Sequence, residues 1–229
     1  MAVPRAPAVG PTGDDRSAIR SLRGWSWRVT HTILFLSANP IGTDQLALDR
    51  EARAIQVELE RSGFRDCFAF ETRWAAEPLD LLRALRKLKP TIVHFSGHGS
   101  VSGLMFEGAD GHPQLVSGEA LERAFAAAGA SVRLVVLSAC YSEAQADALA
   151  TCVDCVVGVR GKVRDATARS FAIGFYGGLG ERESIAAAFH QGCAAVSLDG
   201  LHDADRPRLR TRAGVDAAQV VLAALPDPR

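Results

Sequence analysis

The feature that most constrains this chain is the repeated alternation of short, continuous apolar runs with longer stretches of helical period. Runs at residues 32–37, 91–96, 133–139 and 153–159 are rich in Val, Ile, Leu and Phe and read as strands buried on both faces, and residues 67–72 read as a further strand. Between them the period changes. Over 44–61, Leu48, Ala52, Ile55 and Leu59 recur at helical spacing behind an expected N-cap at Thr43, and over 77–88, Pro78 opens a helix that buries Leu82, Leu85 and Leu88 and stops before Pro90. Ser117 caps a helix reaching Ala128, and two more are expected over 165–179 and 184–197. Only residues 103–116 break the rule, as a hairpin whose arms, 104–107 and 114–116, flank a turn at Asp110-Gly111. Strands separated by helices demand crossover connections, which gives an α/β fold, a three-layer sandwich on a mostly parallel sheet. Beyond residue 197 the pattern is less regular, ending in an apolar stretch over 217–225.

Residues 1–28 carry Pro4, Pro7, Pro11, Gly10 and Gly13 with no hydrophobic period and read as a flexible leader, which Trp25 and Trp27 pin to a single domain over 29–229. With 48% hydrophobic residues in 229, that domain can bury a sizeable core. Twenty-six basic side chains balance 26 acidic ones, so no basic surplus exists for neutralising a phosphate backbone, and nucleic acid is not an expected partner. No apolar run approaches a membrane span and no secretory signal opens the chain, so a soluble cytoplasmic protein is expected. The five cysteines, an odd number at irregular spacing, do not make a disulfide framework.

In an open parallel sheet, ligands and reacting groups gather where strands end at their carboxyl edge. The third expected strand ends in Gly97-His98-Gly99 and the fourth in Ala139-Cys140-Tyr141, 42 residues after His98, room for a hairpin, a helix and the intervening strand. If the two strands are neighbours, about 4.8 Å apart, both side chains reach one substrate carbonyl. That is a cysteine-peptidase constellation, with Cys140 the nucleophile and His98 its proton-transfer partner. Glycines on both sides of His98 let backbone approach the substrate, and the amides of Gly99 and Cys140 are candidate oxyanion donors. Taken alone, a strand-end cysteine is a small buried hydrophobe and a histidine at a turn is a cap; it is their joint placement on one edge that points to chemistry.

Residues 92–100, Ile-Val-His-Phe-Ser-Gly-His-Gly-Ser, and 134–143, Leu-Val-Val-Leu-Ser-Ala-Cys-Tyr-Ser-Glu, resemble the CHAT family of caspase-like bacterial peptidases, in which His-Gly follows one strand and Ala-Cys the next. The likeness runs from about residue 32 to 196 and includes residues 33–40, Leu48-Asp49, Glu51, Gly103-Leu104, 114–117, Ala144-Gln145, Gly158, Asp165 and 171–176. Ser138 stands where the family commonly has Asn, and the eukaryotic caspase signature around the cysteine does not occur, which leaves cleavage after aspartate unsupported. The resemblance implies a caspase-like fold, a cysteine endopeptidase with His98 and Cys140 as its dyad, no metal or organic cofactor, and a role in bacterial defence or regulated cell death, with regulation by a partner protein docked on the leader or the final helix. The competing reading is a catalytically silent module that binds peptides on the same scaffold.

Specificity is expected from the ends of the first and fifth strands, through Asn39, Arg160 and Asp165: Asp165 in the pocket favours a basic P1 residue, Arg160 an acidic one. Asp165 is equally placed to N-cap the helix that follows, and Glu143 either orients a loop or decorates a first helical turn. Cys152-Val-Asp-Cys155 has a metal or redox spacing but no second ligand pair, so no metal is expected. His94, inside its strand, reads as a satisfied core histidine. Gly97 to Gly103 misses the dinucleotide spacing and precedes a hairpin, while Gly161-Lys162 is followed by Val163 rather than the hydroxyl residue of a phosphate loop.

Overall fold

The computed structural model describes residues 31–223. The expected leader, with Trp25 and Trp27, lies outside them. Among the described residues the main sheet has six strands: β1 (His31–Ala38), β2 (Phe68–Arg73), β3 (Ile92–Gly97), β7 (Leu134–Ser138), β8 (Cys155–Val159) and β9 (Pro207–Thr211), in the spatial order β2-β1-β3-β7-β8-β9. The first five are mutually parallel, and β9 closes one edge antiparallel to β8. A small antiparallel sheet of β4 (Gly99–Ser100), β5 (Gly103–Glu107) and β6 (Pro113–Val116) grows directly from the end of β3.

Six helices cover the two faces: α1 (Leu48–Arg61), α2 (Pro78–Leu88), α3 (Gly118–Ala128), α4 (Glu143–Leu149), α5 (Asp165–Gly180) and α6 (Ile185–Leu198). Strand parity sorts the side chains between them. Ile33, Phe35, Ile92 and Val136 bury against α1, α5 and α6, whereas Leu34, Leu36, Val93 and Val135 bury against α2, α3 and α4. Full burial of each such side chain contributes about 1.5–3 kcal/mol, so the continuous apolar runs are what make a two-sided core possible. This is a caspase-like α/β fold.

Two local expectations are corrected. Helix α1 begins at Leu48 rather than at residue 44; Ala47 precedes it with no side-chain cap, and the Thr43 hydroxyl instead bonds the Pro40 carbonyl at 2.7 Å. Residues 40–47 are drawn out as a loop because their backbone is bonded to groups of the site described below. On α2 the buried residues are Leu81, Ala84 and Leu85, with Leu82 and Leu88 only half-buried; Glu77 and Asp80 close a reciprocal capping box that sets the helix's rotation. The apolar stretch runs as irregular chain over 217–223, where Ala217, Val220 and Leu222 fill the α5–α6 core, tied by a bridge from Ser184 to Val221. Strand β9 was hidden because an edge strand reading Pro-Arg-Leu-Arg-Thr buries little and shows no apolar run. No helix of the described residues is long and apolar enough to cross a membrane.

Candidate active site

Strands β3 and β7 are neighbours, in the register Ile92↔Leu134 through Ser96↔Ser138. Two residues beyond that last pair stand His98 and Cys140, and both line one cleft of about 420 Å³, counting the space open to solvent. Its other walls are the 46–48 segment leading into α1 and the 163–165 segment leading into α5, with Glu51 at its floor.

The imidazole is held from one side. His98 Nε2 lies 2.7 Å from the Asp44 carbonyl oxygen, which can only accept, so Nε2 carries a hydrogen and the neutral ring presents its lone pair on Nδ1. Cys140 is only partly buried; its Sγ accepts the Val163 N–H at 3.4 Å and lies 3.6 Å from the Val163 carbonyl. Gly99 is packed directly on this cysteine: a β-carbon there would stand 2.5 Å from the Cys140 carbonyl oxygen, and one at Gly97 would stand 2.7 Å from the Ala38 carbonyl. The glycines flanking His98 are therefore demanded first by the protein's own backbone, not by a substrate. Beyond the sulfur, Tyr141 takes a left-handed φ of 56° and its N–H bonds the Gly161 carbonyl at 2.9 Å, which turns the chain sharply out of the sheet.

Beneath the cleft lies a buried polar cluster. Glu51 Oε1 accepts from His94 Nε2 at 3.2 Å, its Oε2 accepts from the Ser96 hydroxyl at 2.5 Å, and His94 Nδ1 meets the Tyr176 hydroxyl at 3.0 Å. Burial acts to raise the Glu51 pKa, but hydrogen bonds and charge from His94, with hydrogen bonds from Ser96 and Ser138, outweigh it and hold the carboxyl below its usual value. Tyr176 keeps its proton, since burial and the Glu51 charge push its pKa well up. His94 is thus the satisfied core histidine its strand position suggested, stacked on Phe35 at 5.0 Å.

A family model for the CHAT domain matches residues 43–208. The chain belongs to the CHAT domain family. Among curated proteins, one named "Roc-COR-CHAT protease", from an unknown prokaryotic organism, is 29% identical over 175 residues, covering 73% of this chain and 16% of that protein. The chain thus spans about a sixth of the relative it matches. Two solved structures share the fold of this CHAT domain. The Arg-specific cysteine proteinase gingipain R has a TM-score of 0.57 and 12% identity over 86% of this chain and 48% of its own. Caspase-1 from Spodoptera frugiperda has a TM-score of 0.55 and 12% identity over 82% of this chain and 90% of its own.

The three expected specificity residues of the CHAT domain do not meet in one place. Asp165 lines the cleft shared by His98 and Cys140, but as the first residue of α5 it caps nothing in its own helix; its Oδ2 accepts the Ala47 N–H at 2.9 Å and so tethers the loop before α1. Asn39 does not line the cleft. Its amide side chain bonds the backbone of Leu46 in both directions, at 3.4 Å each, which holds the other end of the same loop. Arg160 points away into an ion pair with Asp205 at 2.8 Å and borders a separate, shallower cleft beside Tyr141. Glu143 ties α4 to β9 through Arg210 at 2.6 Å. Cys155 is buried in the α1/α5/α6 core while Cys152 packs against the opposite one, so the sheet stands between the two sulfurs and their spacing does not make a metal site.

Sequence reasoning gave no role to Asp44, Val163 or the Glu51 cluster. Asp44 and Val163 act through backbone atoms, which leave no residue-type signal. Glu51 did leave one: it falls within the apolar stripe Leu48, Ala52, Ile55, Leu59, where a carboxylate has to be buried.

Proposed function

We propose that this chain is a cysteine endopeptidase in which Cys140 is the nucleophile and His98 the acid–base partner. The observation that carries the reading is the convergence of both side chains on one cleft at the carboxyl ends of two adjacent parallel strands. Membership of the CHAT family and a caspase-like fold support it.

In this mechanism His98 Nδ1 takes the thiol proton while the Asp44 carbonyl keeps the Nε2–H in place, so the ring holds one orientation through both proton transfers. The Cys140 sulfur attacks the scissile carbonyl, and the amides of Gly99 and Cys140 receive the oxyanion. The imidazolium then protonates the leaving amine, and water, deprotonated by the same ring, hydrolyses the thioester. No step requires a metal or organic cofactor. For the P1 residue a cationic side chain is favoured, because Asp165 lines the cleft whereas Arg160 is turned away to Asp205. Arg164, also at the cleft, is drawn towards Asp203 at 3.7 Å.

The test is a map of new protein N-termini produced in cells by wild type and by Cys140→Ala and His98→Ala. Cleavages after Arg or Lys that vanish in both variants are expected; a cleavage pattern identical in all three would make the chain a silent peptide-binding module. Asp165→Asn should raise KM for basic P1 peptides about tenfold or more, corresponding to loss of a charge-assisted contact of about 1.5–3 kcal/mol. We further propose a role in bacterial defence or regulated cell death under the control of a partner protein. Toxicity on co-expression with a neighbouring gene product, absent with Cys140→Ala, is the expected outcome.

A further inference from the structure

We propose that Glu51 is a positioning residue of this site: its carboxylate, bonded to His94 and Ser96 of β3 on a cleft floor that Ser138 of β7 also lines, braces the strand ends from which His98 and Cys140 emerge. The proposal rests on the peptidase reading. Its first support is register. Ser96 and Ser138 are direct partners across β3 and β7, each lies two residues before a dyad member, and the period of two in a strand puts all of them on the α1 side of the sheet. A carboxylate that bonds the Ser96 hydroxyl therefore fixes the height of the β3 end and, through the Ser96↔Ser138 pairing, that of β7, one repeat below the reacting atoms.

The second support is the cost of the arrangement. Glu51 is 6% exposed, on a helix whose neighbouring inward positions are Leu48, Ala52, Ile55 and Leu59. An apolar residue there would extend the core without a charge to desolvate, and a buried ion is tolerated only when its lone pairs are filled. Each carboxylate oxygen has a donor here, His94 on one and Ser96 on the other, both from β3. Tyr176 of α5 holds the far side of His94, and Phe35 of β1 stacks on its ring. Thus β1, β3, α1 and α5 are tied to one side chain, and β3, α1 and α5 among them line the cleft. The third support is place: Glu51 is itself part of the cleft floor.

A brace and a purely structural ion pair differ in what they do to chemistry. Replacing a structural pair changes stability alone, whereas loosening a brace misplaces the reacting groups, and an error near 1 Å costs about 100-fold in rate. The experiment uses the full chain with Glu51→Gln, Glu51→Asp and Ser138→Ala. It reads kcat and KM on a cleaved peptide, the rate at which iodoacetamide alkylates Cys140, followed by mass spectrometry, and the melting temperature. The expected result is a kcat lowered about 10- to 100-fold in Glu51→Gln with KM within about threefold of wild type. Glu51→Asp should recover part of the loss, Ser138→Ala should show a smaller one, and Cys140 alkylation should slow in the same order. A folded Glu51→Gln protein with wild-type kcat and alkylation rate overturns the proposal; so does a rise in KM with unchanged kcat, which would make Glu51 part of the P1 pocket. If Glu51→Gln does not fold, Ser138→Ala decides alone, wild-type values in it being the overturning result. Alkylation needs no substrate, so a wild-type protein that cleaves nothing refutes the peptidase reading while the alkylation series still decides the brace.

Discussion

At the scale of single residues, the site depends on where backbone approaches backbone. Gly99 has no space for a side chain, since the nearest atom to an added β-carbon is the carbonyl oxygen of Cys140 itself, at 2.5 Å. Gly99→Ala should therefore destabilise the protein by about 1–3 kcal/mol and also depress activity, because relief of the clash has to move Cys140. Gly200→Ala is the control: it has a positive φ of 70° but nothing within 4 Å, so a smaller loss measured by urea unfolding and no loss of activity are expected. Glu51 supplies a pH dependence whose sign is fixed. Its folded pKa lies below the ordinary 4.5, so its contribution to stability is complete above that value and is lost as pH falls through the folded pKa. Urea unfolding of wild type and Glu51→Gln should thus differ most at neutral pH and converge in acid; a gap that widened below pH 4.5 would contradict the assignment.

Elements were legible in proportion to how much apolar surface they bury. The five parallel strands and the helices α2, α3, α5 and α6 lie where period and caps placed them, whereas the short α4 is not among the expected helices, and Ser117 and Ser184 accept the N–H groups of Ala120 and Ala187 as N-caps should. Ser184→Ala is expected to cost about 1 kcal/mol, read as a lower urea midpoint, because it removes a cap without touching the core. Where expectation missed, tertiary contacts outweighed local preference. The first turn forecast for α1 is given up because the Asp44 carbonyl serves His98 and the Ala47 amide serves Asp165. Those partners lie 54 and 118 residues away in sequence, beyond the reach of any period or cap rule.

For the molecule as a whole, the fold sets one cysteine apart from four. Cys140 lines the cleft at a strand end, while Cys67 and Cys155 are buried and Cys152 and Cys193, half-buried like Cys140, do not line it; burial pushes up the thiols of these four, Cys155 to about 11. With a pKa of about 11, only about one Cys155 in ten thousand is thiolate at pH 7, so limited alkylation of the native protein should modify Cys140 first and Cys155 last; the reverse order by mass spectrometry would contradict this geometry. The sequence by itself determined the α/β architecture, because strands apolar on both faces can be satisfied only between two helical layers, and it placed His98 and Cys140 at the ends of successive core strands. Only the tertiary structure decided which groups surround them. It brought Asp165 to the cleft, sent Arg160 away and gave Asn39 to a loop. It also filled the Glu51 carboxylate with donors from β3, His94 and Ser96, because such partners are chosen by crossover and register rather than by neighbours in the chain.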